Sequence, residues 1–267
     1  MRPVAARYLH DRVRGATGWA VGVLALVLST AALYPSIKGQ RSFEETFNNL
    51  PQGVRALFGA EGALAITSAP GYLHARLFAA LLPVLLLIFG IGVGVAAIAG
   101  SEEDGTLEFL LANPISRRRV VAGRYVAVVA LVATVTAVAA LTLLAVAPVF
   151  GLFDRTTPWR LAVATAASGL LAILHASLGF ALGCALGRRS VALGATTAVA
   201  VAGYFLQVVV AILHVSPVVA ALTPWHWYLA RTIVTGSVSP YALVVPAVFS
   251  LALAAAGAAL FDRRDLR

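Results

Sequence analysis

Two polar side chains, His175 and Gln207, interrupt stretches that are otherwise apolar, and a short segment from Ser101 to Arg119 crowds together most of the remaining functional groups. An ionisable group inside hydrocarbon is a candidate for contacting a transported molecule or relaying a proton. It is equally a candidate for a neutral imidazole hydrogen-bonded to a neighbouring helix, and both readings stand for His175. Gln207 carries the same two. His74, His214 and His226 are too scattered to form a ligand set for a metal. No His-Glu-x-x-His pair and no Gly-x-Ser-x-Gly elbow occurs. No Asp or Glu falls inside the long apolar runs, so the carboxylate that proton- or sodium-coupled carriers use is missing. The only lysine, Lys38, does not follow a Gly-x-x-x-x-Gly loop, and without that cradle the chain has no place for nucleotide phosphates. The sequence therefore offers no catalytic residue, no cofactor site and no metal site.

The elements that hold these residues follow from composition. Hydrophobic residues make up 60% of 267 positions and charged ones 12%, with a mean hydropathy of +0.90. A soluble domain is nearer half apolar and a quarter charged, so hydrocarbon must be the solvent here. Crossing the core takes about 20 apolar residues, and six stretches qualify: Thr17–Leu33, Leu77–Ile98, Tyr125–Phe150, Leu161–Gly187, Val191–Leu213 and Tyr241–Phe261. Their apolar runs do not alternate, which excludes a β-barrel, and amides in lipid must pair within the segment, so all six are helices. The expected fold is an all-α polytopic membrane protein of one domain, with an external loop over 34–76 and an external or re-entrant segment over 214–240. Cys184 has no partner, which removes disulfides as a device.

Orientation follows the arginines. Thirteen basic residues flank one set of ends (Arg2, Arg7, Arg12, Arg14, Arg117, Arg118, Arg119, Arg124, Arg188, Arg189, Arg263, Arg264 and Arg267), against seven in longer loops on the other side. The richer side is the cytoplasmic one and holds both termini. A net charge of +9 invites nucleic acid, but the arginines sit at span ends and not in a patch interleaved with aromatics, so no nucleic-acid partner is expected. The preference for Arg over Lys, with heavy Ala, Val and Gly use, fits a GC-rich bacterial genome and hence a bacterial cytoplasmic membrane. Reading the first span as a cleaved signal peptide would leave five spans and spoil the charge pattern.

The segment joining the second and third spans reads as a short helix with marked ends. Ser101 suits a cap, and Glu102, Glu103 and Asp104 suit the positive end of a helix dipole. Leu107, Leu110 and Leu111 share one face while Glu108 points elsewhere. Asn113-Pro114 ends the helix and Ser116 suits the cap of the next. A helix this short is marginal in water and must dock on something. One option is the bilayer surface, with Arg117 to Arg119 on anionic lipid. The other is a groove on a cytoplasmic protein, which three adjacent carboxylates favour.

The run Glu103-Asp-Gly-Thr-Leu-Glu-Phe-Leu-Leu-Ala-Asn-Pro-Ile-Ser-Arg-Arg118 resembles the signature of type-2 ATP-binding-cassette (ABC) permeases, with Gly105, Thr106, Leu107, Glu108, Pro114, Ser116 and Arg117 at its characteristic positions. Weaker resemblances are the basic N-terminal segment, Pro70-Gly71-Tyr72-Leu73, and Thr223-Pro-Trp-His-Trp-Tyr228. The resemblance implies an amphipathic connecting helix over 1–15, a cytoplasmic coupling helix over 101–119, and short extracytoplasmic helices before the last span. It also implies a second permease subunit, the same chain or a relative, and a separate ABC ATPase subunit that binds ATP and magnesium. The implied activity is ATP-driven export of a lipophilic drug, antibiotic, peptide or lipid. Against this stand a self-sufficient secondary carrier or channel, and a membrane anchor for a cytoplasmic partner.

Small residues recur at spacings that let helices approach in lipid: Gly90 and Gly94, and Gly179, Gly183 and Gly187. They serve either packing within the chain or a dimer seam. Pro83 is expected to kink the second span near its outer end. On this topology, a cysteine at Asp104 in a Cys184→Ala background reacts with an impermeant maleimide from the cytoplasmic side only, and one at Lys38 from the opposite side only. The reverse pattern would invert the assignment.

Overall fold

Long apolar stretches in lipid have one way to pair their amides without help from neighbours, and six stretches of this chain take it. The computed structural model describes residues 2–51, 54, 66–111, 115–213, 223–228, 234 and 241–264, and no strand occurs among them. Helices long and apolar enough to cross a membrane run over Val4–Ile37, Ala69–Glu103, Arg117–Val146, Pro158–Leu186, Arg189–Val210 and Leu243–Arg263. Each contains or closely overlaps an expected span. Most extend further, because charged residues at their ends prolong the helix beyond the apolar run.

The first span departs most from expectation. Its helix is continuous from Arg2 to Ile37, so residues 1–15 are not a separate amphipathic element. Nothing stops the helix there: no proline falls between Pro3, in its first turn, and Pro35, and Gly15, Gly18 and Gly22 sit in open space. At about 1.5 Å per residue its 36 residues run about 54 Å, well past a hydrocarbon core of about 30 Å. The surplus is not free, since Val4 and Tyr8 are buried and the helix lies along the third span. The stretch expected as an external loop contains a short helix, Arg41–Asn48, and the second span begins as early as Ala69.

The fourth span is the hub. It packs against the second and sixth most extensively, and also against the third and fifth. The second and fourth run side by side at glycine distance. A Cβ on Gly90 would stand 3.0 Å from the Ala172 carbonyl oxygen, and one on Gly94 only 2.3 Å from that of Ala176. In return, a Cβ on Gly179 would meet Val95, and one on Gly183 would meet Ala99. The glycines of the two spans thus mesh with the partner helix of the same chain, and packing within the chain accounts for them without a dimer seam. Gly257 does the same for the sixth span, where a Cβ would come within 2.8 Å of Ala181 Cα. Gly187 serves differently: with φ +64 it ends the fourth span in the left-handed conformation.

The second span is not one uniform helix. Widened π turns occupy His74–Phe78 and Ala96–Gly100, on either side of the regular helix Leu81–Val95. Ala80, at φ −145, breaks the ladder between the π turn His74–Phe78 and that helix. Pro83 therefore falls in the first turn of a new helix, where its missing N–H has no acceptor to serve. The expected irregularity is present, but it lies just before the proline.

The glycine contacts predict that Gly94→Ala costs about 1–3 kcal/mol, because its methyl meets a backbone oxygen that no rotamer change relieves. Gly92→Ala, with nothing within 4 Å, is the matched control. Thermal unfolding in detergent measures both, and equal melting temperatures would contradict the packing.

Candidate functional site

The segment between the second and third spans is built on the π turn Ala96–Gly100. A π turn interrupts the i to i−4 ladder and leaves backbone carbonyls to be satisfied from outside. Three side chains answer. The Tyr8 hydroxyl donates to the Val93 carbonyl at 3.1 Å. Arg124 Nη1 donates to the Ala97 carbonyl at 3.2 Å and to Ser101 Oγ at 2.7 Å. Ser101 in turn donates to the Ala96 carbonyl at 3.4 Å. Arg124 is only 5% exposed and forms no salt bridge among the described residues. Its charge is met by carbonyl dipoles, a hydroxyl and the face of Tyr8, whose ring centroid lies 4.7 Å from the guanidinium carbon. Arg12 lies 5.5 Å from the same ring. The first span, the base of the second and the start of the third are joined here.

Ser101 was expected to cap a new helix, with the carboxylates at its positive end; the structure corrects this. Ser101–Glu103 is the last turn of the second span, and the chain breaks afterwards at Asp104 and Gly105, the latter at φ +69. Only glycine takes that conformation without strain, which is why the break falls two residues beyond the acidic pair. Glu102 and Glu103 thus sit at the negative end of their own helix, where carboxylates are disfavoured, and both are compensated from other elements. Glu102 pairs with Arg264 at the end of the sixth span. Glu103 Oε1 accepts the backbone N–H of Arg189 at 2.8 Å, at the first residue of the fifth span's helix. The predicted attraction of acid to a helix N-terminus exists, but the helix is a different one.

Beyond Gly105 a six-residue helix, Thr106–Leu111, turns back on the bundle. Thr106 Oγ1 donates to the Ser101 carbonyl at 3.1 Å. Leu107 is 1% exposed and belongs to the main hydrophobic core, so it fastens the helix to its own chain. Thr106, Glu108 and Asp104 are exposed. The side chains of Leu110 and Leu111, and residue Pro114, lie outside the described residues. Ser116 occupies the N-cap position of the third span without a side-chain capping bond. Arg117 Nη1 donates to the Arg264 carbonyl at 2.9 Å, and Arg118 Nε pairs with Asp262 at 2.6 Å. Both limbs of the segment therefore end on the same few residues of the sixth span.

The two polar residues within the spans line neither of the two cavities described below. His175, 2% exposed, donates from Nδ1 to the Leu171 carbonyl at 2.9 Å, one turn back in its own helix. Gln207 Oε1 accepts from Thr223 Oγ1 at 3.2 Å, which ties the fifth span to the short helix Pro224–Tyr228.

Those cavities lie elsewhere. A groove of about 500 Å³ opens between the second and fifth spans, lined by Ile88, Ile91, Val201, Tyr204, Phe205 and Trp225 among others. Trp225 donates from Nε1 to the Ala200 carbonyl at 3.2 Å and packs edge-on against Tyr204. A second cavity, of about 400 Å³, lies between the end of the first span and the helix Arg41–Asn48, with Leu33, Phe47, Ile66 and Tyr72 in its wall. The helix Pro224–Tyr228 also closes the π turn His74–Phe78. The Tyr228 hydroxyl donates to the Phe78 carbonyl at 2.8 Å and lies 2.7 Å from Ser168 Oγ. Burial pushes the Tyr228 phenol above its ordinary range, keeping it protonated as a donor.

Sequence reasoning missed Tyr8, Arg124, Asp262 and Arg264 as members of the site. Arg124 had counted only as a positive flank; its signal was adjacency to an apolar run that continues unbroken past it. The other three carry none, since their partners lie more than eighty residues away.

The family described as ABC-2 family transporter protein matches residues 2–266. No curated protein matches the chain. With that match running over nearly the whole length of a six-span helical chain, this multi-pass membrane protein belongs to the ABC-2 transporter family, as an ABC transporter permease and not itself the ATPase.

Proposed function

We propose that the chain is the permease subunit of an ATP-driven exporter and is driven through the Ser101–Arg119 segment by a separate ATPase subunit. The observation that carries this reading is the attachment of a helix too short to be stable alone. Thr106–Leu111 has six residues, far below the roughly 12 that hold an isolated helix. It is pinned by Leu107, by Thr106 and by its two limbs to the second, third, fifth and sixth spans. A push on such an element is passed to the spans and not absorbed by the loop.

The surface it offers to a partner is polar. With Leu107 turned into the bundle, Asp104, Thr106 and Glu108 face outward, so the docking contact is mainly charged where described. Leu110 and Leu111 complete the contact in this reading. In this reading the thirteen basic residues favour the cytoplasm for this end, where the partner holds ATP and magnesium.

The substrate pathway in this reading runs along the groove between the second and fifth spans, and neither His175 nor Gln207 takes part in it. The fifth and sixth spans are the least buried of the six, and the groove is open on one side. A second permease subunit, the same chain or a relative, closes it. Its wall is almost wholly apolar, which suits a lipophilic drug, antibiotic, peptide or lipid. Closing of the ATPases on nucleotide favours the outward-open arrangement of the pair, and the permeases supply differential binding of substrate in the two states.

Glu108→Lys reverses the outward charge without touching the core, and Leu110→Arg charges the same short helix. Both variants are expected to insert normally and to lose at least about fivefold of the ATPase stimulation given by the parent permease, a coupling energy on the order of 1 kcal/mol. Full stimulation in both would remove this segment as the point of contact. Reconstituted alone, the permease is expected to accumulate no ethidium in vesicles, whereas the ATPase complex does so with ATP; accumulation without the partner would mark a self-sufficient carrier.

A further inference from the structure

The acidic end of the second span and the C-terminal end of the sixth span form a single polar cluster. Glu102 pairs with Arg264, and both side chains are largely buried, at 17% and 18% exposure. Arg264 also accepts a hydrogen bond, through its backbone carbonyl, from Arg117 on the far side of the segment. Two residues earlier Asp262 pairs with Arg118. The cluster closes over Gly187: a Cβ there would fall 2.5 Å from Arg264 Nη1 and 2.8 Å from both Glu102 carboxylate oxygens. Gly187 is thus required twice, for its left-handed backbone and for the room it leaves the ion pair.

This arrangement has a mechanical meaning. The Thr106–Leu111 helix enters from Glu103 and leaves toward Arg117, and Arg264 holds both the entry limb and the exit limb. The remaining anchors of the entry limb are Arg124 and Leu107, which bind it to the first three spans or to the core, and Glu103, which accepts from the Arg189 N–H of the fifth span. The Glu102–Arg264 and Arg117–Arg264 contacts, with Arg118–Asp262 beside them, are the described side-chain links by which this segment reaches the sixth span. Elsewhere that span packs on the fourth through small residues such as Gly257 and Ala181, and Tyr125 of the third span donates to its Ser250 carbonyl at 3.2 Å.

We infer that Arg264 is a positioning residue for energy coupling: through Glu102 and Arg117 it clasps the sixth span to the ATPase-facing segment, so that the two move together when the ATPase binds nucleotide. The inference rests on the coupling reading above and adds to it one route, into the sixth span. A charged pair of this burial is well suited to the task, because separating it exposes an uncompensated charge to a poorly hydrated surface.

The test uses the permease–ATPase complex in a Cys184→Ala background, with one reporter cysteine at a time. Arg263→Cys reports the end of the sixth span and Ser116→Cys reports the segment; both positions are exposed. Maleimide labelling rates are compared without nucleotide and after trapping with ATP, magnesium and vanadate. In the parent, both reporters are expected to change rate on trapping by at least about fivefold. In Arg264→Met, which breaks the Glu102 pair but keeps the backbone carbonyl that accepts from Arg117, the change is expected to persist at Ser116→Cys and to shrink at Arg263→Cys to less than about twofold. The exchange Glu102→Arg with Arg264→Glu is expected to restore it, which a purely structural loss would not. Glu102→Gln breaks the same pair from the other side and carries the same expectation if Arg264→Met fails to accumulate. A change at Arg263→Cys that survives both single variants, or an exchange that restores nothing, overturns the clasp while leaving the coupling segment in place. No change at Ser116→Cys in the parent overturns the coupling reading, and the clasp with it.

Discussion

In hydrocarbon a backbone carbonyl released from its ladder finds no water, so each release obliges some other part of the chain to come and serve it. The second span makes such releases at both ends, through the π turns His74–Phe78 and Ala96–Gly100. At the basic end, Tyr8 and Arg124 supply the donors; at the opposite end, Tyr228 does. The three come from the N-terminal end of the first helix, the start of the third span, and the short helix ahead of the sixth. Their long-range hydrogen bonds fix where those elements stand. The arrangement of the bundle follows from two irregular turns in one helix as much as from apolar packing, since packing in lipid alone is weakly directional.

That dependence separates what the sequence reveals from what it hides. Six spans were legible because each carries a long apolar run with arginines at its end, and span length is set by the membrane. The glycine positions were legible too, as close-approach sites, though their partners were not; only the structure shows Gly94 against Ala176 and Gly183 against Ala99. The π turns were invisible. Ala96 to Gly100 is as apolar and small as the helix before it, and nothing in its composition marks a widened turn. The error over Ser101 follows from this: without the π turn, the span ends at Ile98 and the serine reads as a cap. In the structure it is an acceptor for Arg124.

The candidate site was legible as a segment and not as a set of contacts. Leu107 illustrates the limit. Its i, i+3, i+4 relation to Leu110 and Leu111 marks an apolar face, but periodicity does not say whether that face looks toward a partner or toward the chain's own core. The structure turns Leu107 inward. His175 illustrates the converse. An imidazole in a membrane helix signals function by its rarity, yet here its Nδ1 proton is spent on the carbonyl one turn back, and a local bond of that kind leaves no pattern in sequence.

The π turn Ala96–Gly100 also sets an angular phase. In a regular helix the eight positions from Gly94 to Glu102 accumulate about 800°, which would leave the carboxylate about 80° round from the glycine stripe. A turn that absorbs one extra residue takes back about 100° and brings Glu102 to within about 20° of that stripe. The same side of the second span therefore faces the fourth without interruption, from Gly90 at Ala172 to Glu102 at Gly187. Removing a single residue between Ala96 and Gly100 would leave the apolar half of the seam in place and swing the acidic tip away from it, so the length of this stretch is as constrained as any side chain in it.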